Sequence, residues 1–194
     1  GTFAVEMGGS YYRVDADLPT ETATSNTLTF AGLGRENSIW VPILEKAYAT
    51  HRTGANTYQS LDGGFSASVF AEMGMRNADR ATMRSPRGVL QYIHGQLRQG
   101  KAVVVNIVEN PPAGIPLVGP HAYMVERVNF GLVDLGDGFT GRVPVSITLR
   151  NPWGFDGGGN QDLNPNDGLV TVTGVQLVRS LWGDNNGIQS ANLI

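Results

Sequence analysis

The chain has 194 residues, of which 41% are hydrophobic and 16% are charged, a composition typical of a globular protein and unlike that of a coiled coil or a disordered tail. The net charge is −3 and Lys and Arg form no run, so the sequence predicts no nucleic-acid partner and no anionic membrane partner. The chain contains no cysteine, which excludes disulfides, thiolate metal sites and a thiol nucleophile within these residues.

The N-terminal part of the chain shows the patterns of one hairpin and two helices. Alternating residues on both sides of Gly8-Gly9 predict a β-hairpin that stops at Pro19. The stretch SIWVPILEKAYATH predicts a helix with Ser38 as its N-cap. Its apolar face comprises Trp40, Ile43, Leu44, Ala47 and Tyr48. The glycine-bearing loop SLDGG then leads to a short helix around residues 69–73.

The C-terminal part of the chain is richer in strand patterns. Ser85-Pro86 is a helix start signal, and Gly100 ends the apolar periodicity that follows it. The buried-strand pattern AVVVNIV comes next. Further strands are predicted over 121–130, 143–151, 169–173 and 188–193, with a short helix over 175–181. A Gly-rich loop is expected between the first two of these strands.

The character of the chain changes between Met75 and Ser85, from helices and loops to strands. We therefore predict two subdomains, residues 1–75 and residues 76–194. The 26 glycines and ten prolines favour a loop-rich architecture with much β structure over a helical bundle.

Two polar residues are expected at neighbouring strand ends. His121 begins one strand and Asn151 ends the next, so an antiparallel pair that pivots near Gly136 places them side by side. An imidazole that acts as a general base needs an acceptor for one ring nitrogen, and an asparagine oxygen can supply it. Asparagine suits a thiolate–imidazolium pair because a neutral amide adds no second negative charge. The ring of Trp153 could cover this hydrogen bond and exclude water.

The same two residues also have a purely structural interpretation. A histidine at a strand end is more often a surface residue or a hydrogen-bonded core residue than a catalytic one, and Asn-Pro commonly starts a turn. Spacing alone therefore assigns no chemistry to His121 and Asn151.

Longer motifs resemble one known family. GPHAYMVERV and ITLRNPWG are similar to the histidine and asparagine motifs, G-H-A-Y and R-N-P-W-G, of the calpain family of papain-like cysteine endopeptidases. SIWVPILEKAYA and SLDGG resemble that family's LLEKAYA helix and Gly-Gly loop, in the same order. YYRVDADLP resembles one of its strands, and DGLVTVTGVQLVRSL its closing strand and helix. The resemblance spans essentially the whole chain. It implies an α+β, papain-like fold with a partial helical lobe and an antiparallel β-rich lobe that carries His and Asn.

The resemblance also implies roles for individual residues. His121 would be the general base and Asn151 its orienting partner, with Trp153 shielding the pair. Gly64 would pair through its backbone with an extended substrate peptide, because the absence of a side chain permits close approach. Pro120 replaces the usual glycine but would still offer a carbonyl to the substrate. The implied activity is peptide-bond hydrolysis by a Cys-His-Asn triad.

The sequence departs from the family at the nucleophile. The family carries its cysteine in a Q-G-x-C-W stretch before the strand pair with which this chain begins. We therefore expect the cysteine on a missing or separate N-terminal segment, and we expect this chain alone to be inactive. LGDGF at 135–139 resembles the family's L-G-D-C-W, but it follows His121 and opens no helix, so we interpret it as coincidence. A non-catalytic homologue that binds peptides or proteins is the alternative function.

No metal site is predicted. His51 is expected to follow the end of the first long helix and to cap it or face solvent. His94 is expected to lie beside the apolar face of the 86–99 helix, and neither histidine has a ligand neighbour in the sequence. Ser38 stands where calcium-dependent family members carry an acidic residue. Asp and Asn residues between 156 and 167 suit an Asx-turn loop, with a calcium cage as the alternative. Calcium in that loop is the only cofactor left open.

The expected partners are a polypeptide substrate and the Cys-bearing segment of the same protein. The sequence contains no signal-peptide pattern and no apolar stretch of about 18 residues, as a membrane-spanning helix requires. We expect a soluble protein, and the sequence leaves its compartment open.

Overall fold

The computed structural model describes residues 1–33, 37–61, 63–157, 164 and 167–192. Within these residues the chain forms strands and α-helices in mixed order, which confirms the predicted α+β class. The strands are β1 (Thr2–Met7), β2 (Ser10–Asp15), β3 (Arg76–Ala81), β4 (Lys101–Ile107), β5 (His121–Gly136), β6 (Phe139–Arg150), β7 (Leu169–Thr173) and β8 (Ile188–Asn192). The helices are α1 (Trp40–Thr53), α2 (Ser66–Glu72), α3 (Pro86–Arg98) and α4 (Gly174–Ser180), with a 3₁₀ turn at Gln59–Leu61.

The described strands form two antiparallel sheets. β1 and β2 make the predicted N-terminal hairpin. The other six strands form one sheet in the order β3-β8-β4-β5-β6-β7. The closing strand β8 therefore lies between β3 and β4, and the long β5–β6 hairpin lies beside them.

Each sheet covers its own hydrophobic core. The larger core lies between the six-stranded sheet and helices α3 and α4, because alternate residues of the inner strands point to that side. It includes Val103, Val105, Ile107, Tyr123, Val125, Ile147, Leu149, Val89, Leu90, Ile93 and Leu177. The smaller core lies between the β1–β2 hairpin and α1. Its buried members are Met7, Val14, Ile43, Ala47 and Tyr48.

The helix start signals predict α3 well and α1 poorly. At α3, Ser85 Oγ accepts a hydrogen bond of 3.1 Å from the Gly88 N–H, as expected of an N-cap. The predicted N-cap of α1 is wrong: Ile39 occupies the cap position, with no side-chain hydrogen bond. Trp40, expected on the buried face of α1, is 64% exposed because it lies at the first turn, beyond the edge of the smaller core.

The β5–β6 hairpin is longer than predicted. The strands continue through the Gly-rich segment and reverse at Asp137 and Gly138, with φ of 51° and 78°. Two successive residues with positive φ form the tight turn that suits twisted strands. The LGDGF segment thus lies at this turn, at the opposite end of the hairpin from His121. The expected broad loop is replaced by an extended ribbon.

Strand β3 has no clear signal in the sequence. Its residues, RNADRA, are almost all exposed and show no apolar alternation. The strand forms because it pairs with β8 at one edge of the larger sheet. β3 adopts the strand conformation because it is paired with β8, so the hydrophobic periodicity of its own sequence does not identify it.

Hydrogen bonds link α2 to the larger sheet. The fully buried side chain of Gln189 in β8 accepts from the backbone N–H of Ala67 in α2. Ser66 Oγ also lies 3.4 Å from Asn106 Oδ1 in β4.

The division of the chain into two subdomains at residue 75 stays a prediction. No helix in the described parts of the chain has the length and apolar character needed to cross a membrane.

Candidate active site

His121 and Asn151 are in hydrogen-bond contact at one end of the larger sheet. His121 is the first residue of β5, and Asn151 directly follows the last residue of β6. His121 Nε2 lies 2.9 Å from Asn151 Oδ1. Main-chain pairing holds both residues, since His121 is paired with Ile107 of β4 and the Asn151 N–H donates to Gly168 O at 2.8 Å.

The carboxamide of Asn151 is almost fully buried, at 1% exposure, and both of its ends are bonded. Its Oδ1 also accepts the backbone N–H of Trp153 at 3.1 Å, and its Nδ2 donates to the Asp156 carbonyl at 3.4 Å. These bonds orient the amide with its oxygen toward His121. In the neutral imidazole the hydrogen must therefore be on Nε2, and Nδ1 keeps the lone pair. Nδ1 is the nitrogen that can act as a base.

The environment of His121 favours the neutral ring. Burial lowers the pKa of the imidazole below its ordinary value, and the hydrogen bond to Asn151 raises it by a smaller amount. Because this partner is an amide, it adds no negative charge that would stabilise an imidazolium. The neutral ring can accept a proton, and an anionic neighbour would favour its charged form.

Two aromatic rings enclose the imidazole. The indole of Trp153 lies at 4.3 Å between ring centroids, tilted by 36°. Tyr123 meets the ring edge-on at 4.9 Å, and its hydroxyl accepts the Val118 N–H at 3.0 Å. Trp153 is therefore in a position to limit water access to the hydrogen bond between His121 and Asn151.

Sequence reasoning missed Tyr123 and Phe155. The alternation of β5 puts residue 123 on the same face as residue 121, so the strand pattern could have identified it. Phe155 lies in the loop after β6, where no periodicity places a side chain. Its ring stacks on Trp153 at 5.7 Å between centroids.

Pro120 immediately precedes His121 and is exposed, with a cis peptide bond to Gly119. Gly64 is also exposed, and its φ of 143° is one that residues with a side chain rarely adopt. Gly64, which has no side chain, therefore presents its backbone to solvent.

The loop that carries Gly64 leads directly into α2 near the sheet end that carries His121. Ser66, the first residue of α2, contacts Asn106, and Asn106 is the β-pair partner of Ala122. This chain of contacts brings the Gly64 loop toward the start of β5. Asp62 of the SLDGG motif lies outside the described residues.

The other two histidines make structural contacts. His51 lies within the last turn of α1, so its expected place beyond the helix end is wrong. Its Nδ1 is 2.7 Å from the Tyr12 hydroxyl, which links α1 to the hairpin. His94 meets the ring of Phe130 edge-on at 4.8 Å.

Within the described ranges, no three His, Cys, Asp or Glu side chains are grouped to hold a metal ion. Three of the candidate calcium ligands, Asn160, Asp162 and Asn166, lie outside those ranges. Calcium binding at the 156–167 loop therefore stays a prediction.

Comparison with known proteins gives one consistent family. Residues 5–159 match the model described as calpain family cysteine protease. The chain is 34% identical over 161 residues to Calpain-5 of Mus musculus, covering 73% of this chain and 24% of that protein. It is 31% identical over 151 residues to Calpain-8 of Rattus norvegicus, covering 73% and 19%. It is 28% identical over 151 residues to the Calpain-2 catalytic subunit of Gallus gallus, again covering 73% and 19%.

The chain spans about a quarter or less of the length of these relatives. The family match includes the positions of His121, Asn151 and Trp153. The arrangement of helices and antiparallel sheet agrees with the papain-like fold expected from the motifs.

Proposed function

Because this chain belongs to the calpain family of cysteine proteases, we propose that it supplies the His and Asn of a cysteine endopeptidase whose thiol lies on polypeptide outside these 194 residues. The observation that carries the proposal is the 2.9 Å contact between His121 Nε2 and Asn151 Oδ1. It leaves Nδ1 of His121 to take a proton from a thiol.

The proposed reaction has two proton transfers through His121. Nδ1 takes the thiol proton, and the thiolate attacks the carbonyl carbon of the scissile bond. The C–N bond breaks as the imidazolium returns the proton to the leaving nitrogen, and a thioester remains. His121 then takes a proton from water, and the resulting hydroxide attacks the thioester carbonyl. The C–S bond breaks to give the carboxylic acid, and the imidazolium returns its proton to the thiolate, which restores the thiol and the neutral ring. Asn151 keeps the ring oriented throughout.

Other residues of the site would serve the polypeptide substrate. Gly64 would pair with its extended backbone, since a residue without a side chain lets the two main chains approach. The carbonyl of Pro120 would offer an acceptor close to the base. Trp153 would exclude water, which strengthens the hydrogen bond between His121 and Asn151. Because the 194 residues contain no thiol, they would be inert without the nucleophile.

Alkylation of the full-length protein tests the role of His121. Iodoacetamide reacts with the thiolate, so the pH profile of its reaction rate reports the pKa of the nucleophilic cysteine. We expect rapid alkylation well below the ordinary thiol pKa of about 8.5 in the wild type and an ordinary profile in His121→Ala.

The matched control is His94→Ala, because His94 contacts Phe130 rather than the site. This variant should keep the wild-type profile. An unchanged profile in His121→Ala contradicts the proposed role.

A second candidate function is a non-catalytic module that binds peptides or proteins. The observation that favours it is the absence of cysteine from the 194 residues. Intact-mass and N-terminal analysis of the natural protein separate the two functions. A Cys-bearing segment, on the same chain or copurifying with it, supports the endopeptidase. Its absence, together with peptide binding, supports the module.

A further inference from the structure

An exposed aromatic surface extends away from His121. Trp153 contacts the imidazole on one side and Phe155 on another, with centroid separations of 4.3 Å and 5.7 Å. The two planes of Trp153 and Phe155 differ by only 25°, and these side chains are 37% and 48% exposed. A half-exposed stacked pair beside a candidate catalytic base offers contact area to whatever lies next to that base.

The backbone holds this surface in place. The Trp153 N–H is bonded to Asn151 Oδ1, and the Gly154 N–H donates to Asn151 O at 3.1 Å. On the other side of Phe155, the Asp156 carbonyl accepts from Asn151 Nδ2. Asn151 thus orients the imidazole and also fixes the loop on both sides of Phe155. The same side chain therefore positions both the base and the backbone that carries this surface.

The chemistry assigns this surface to one side of a bound peptide. The imidazole that takes the thiol proton must also give it to the leaving nitrogen, so His121 adjoins the first residue after the scissile bond. A ring in contact with His121 lies beside that residue. Phe155, farther from the base than Trp153, lies beside the chain that continues from it.

The spacing of the rings matches an extended peptide. Side chains of alternate residues point to the same side of a strand, about 6.6 to 6.8 Å apart. The 5.7 Å between the Trp153 and Phe155 centroids is close to that repeat. With Trp153 beside the first residue after the scissile bond, Phe155 lies beside the third.

The local chemistry selects against charge at that position. The segment from Pro152 to Phe155 has no charged side chain, so it offers no ion-pair partner to an ionised substrate group that loses hydration against Phe155. An aliphatic or aromatic group would bury apolar area against the ring.

We infer that Phe155 is a specificity-determining residue, which favours an apolar side chain at the third residue after the scissile bond. This inference rests on the proposed function, since it requires cleavage at His121. It differs from shielding by Trp153, because Phe155 stacks on Trp153 and Trp153 is the ring that meets the imidazole.

The test uses the full-length protein and peptides that differ only at the third residue after the scissile bond, which is Leu in one and Asp in the other. We expect the wild type to favour Leu about tenfold in kcat/KM, and Phe155→Ala to reduce this preference to about twofold or less. Phe155→Arg should shift the preference toward Asp, because its guanidinium pairs with the carboxylate. The matched control is Phe139→Ala, since Phe139 is 72% exposed at the far end of the β5–β6 hairpin.

Alkylation of the thiol distinguishes a change of specificity from damage to the site. Phe155→Ala should keep the wild-type pH profile of alkylation while its Leu preference falls. A Leu preference that survives both Phe155 variants overturns this inference and leaves the proposed function standing. A wild-type protein that cleaves neither peptide, and whose thiol alkylates with an ordinary profile, overturns both.

Discussion

His121 and Asn151 meet at 2.9 Å although the β5–β6 ladder does not pair them. The last pair of the ladder at this end is Met124 with Arg150. The side chains of His121 and Asn151 meet beyond that pair. Their contact depends on the pairing of His121 with β4 and on the Asn151 N–H bond to Gly168, more than on the register of the hairpin. The loop after β6 is therefore as important for the site as the strands.

The first prediction concerns the titration of His121. We expect NMR titration of this chain to give His121 a pKa below the ordinary value of 6.5, with the Nε2–H tautomer at neutral pH, because burial disfavours the charged ring. The unfolded chain then binds the proton more tightly than the folded one. This contribution to the free energy of unfolding is fully present above pH 6.5 and is lost as the pH falls through the lowered pKa. A pKa at or above 6.5 contradicts the expectation.

The second prediction replaces the neutral partner with a charged one. Asn151→Asp puts a carboxylate beside the imidazole, so we expect the pKa of His121 to rise by about one unit or more in the same NMR titration. The variant also loses the donor to the Asp156 carbonyl and should be less stable. Asn129→Asp is the control, since Asn129 bonds Ser146 and Thr148 farther along the hairpin. An equal rise in the control would mean that net charge, not contact, sets the pKa.

The proximity of His121 and Asn151 could be expected from strand patterns, and their chemistry only from the longer motifs. An antiparallel pair joined by one connection brings its two outer ends together, whatever the turn. The register and the contacts with Tyr123 and Phe155 could not be obtained in this way. They depend on bulges in β5–β6 and on a loop whose conformation is fixed by hydrogen bonds to a single buried amide.

The third prediction compares two glycines. A Cβ at Gly119 would lie 1.7 Å from the carbonyl oxygen of Val108, so Gly119→Ala must displace the backbone just before His121. We expect a loss of more than about 2 kcal/mol in the free energy of unfolding, measured by chemical denaturation. Gly95, within α3, has open space at the same position, and Gly95→Ala should add up to about 1 kcal/mol. A similar change in the free energy of unfolding for both substitutions would contradict the close packing of Gly119 against Val108.

The fourth prediction concerns an apolar groove between β1 and the start of α1. It has a volume of about 510 Å³, and its walls include Phe3, Ile39 and the largely exposed Trp40. We expect the isolated chain to self-associate through this surface, because exposed apolar surface is removed from water when two copies bind each other. Light scattering measures this association. Trp40→Gln should reduce the association, whereas Phe139→Gln, at the distant hairpin turn, should not. A monodisperse wild-type monomer contradicts the prediction.

The fold was most predictable where a local signal and its burial agree. Ser85-Pro86 starts α3 as expected, and the apolar run AVVVNIV identifies β4 because Val103, Val105 and Ile107 are buried in the larger core. Strand β3 could not be predicted from the sequence, because it is exposed and forms through its pairing with β8. The long β5–β6 ribbon was interpreted as strands and a loop because glycines near its end also fit a tight turn.

Gly32 brings a distant stretch of sequence to the loop that fixes the imidazole. A Cβ at this position would lie 3.0 Å from the Trp153 carbonyl oxygen, so the main chain at residue 32 directly abuts that loop. If the backbone of Trp153 moved toward residue 32, residues 30–33 would have to move as well. Gly32, which has no side chain, thus lets the N-terminal segment lie directly against the backbone that carries the indole, and a larger residue there would push on that backbone.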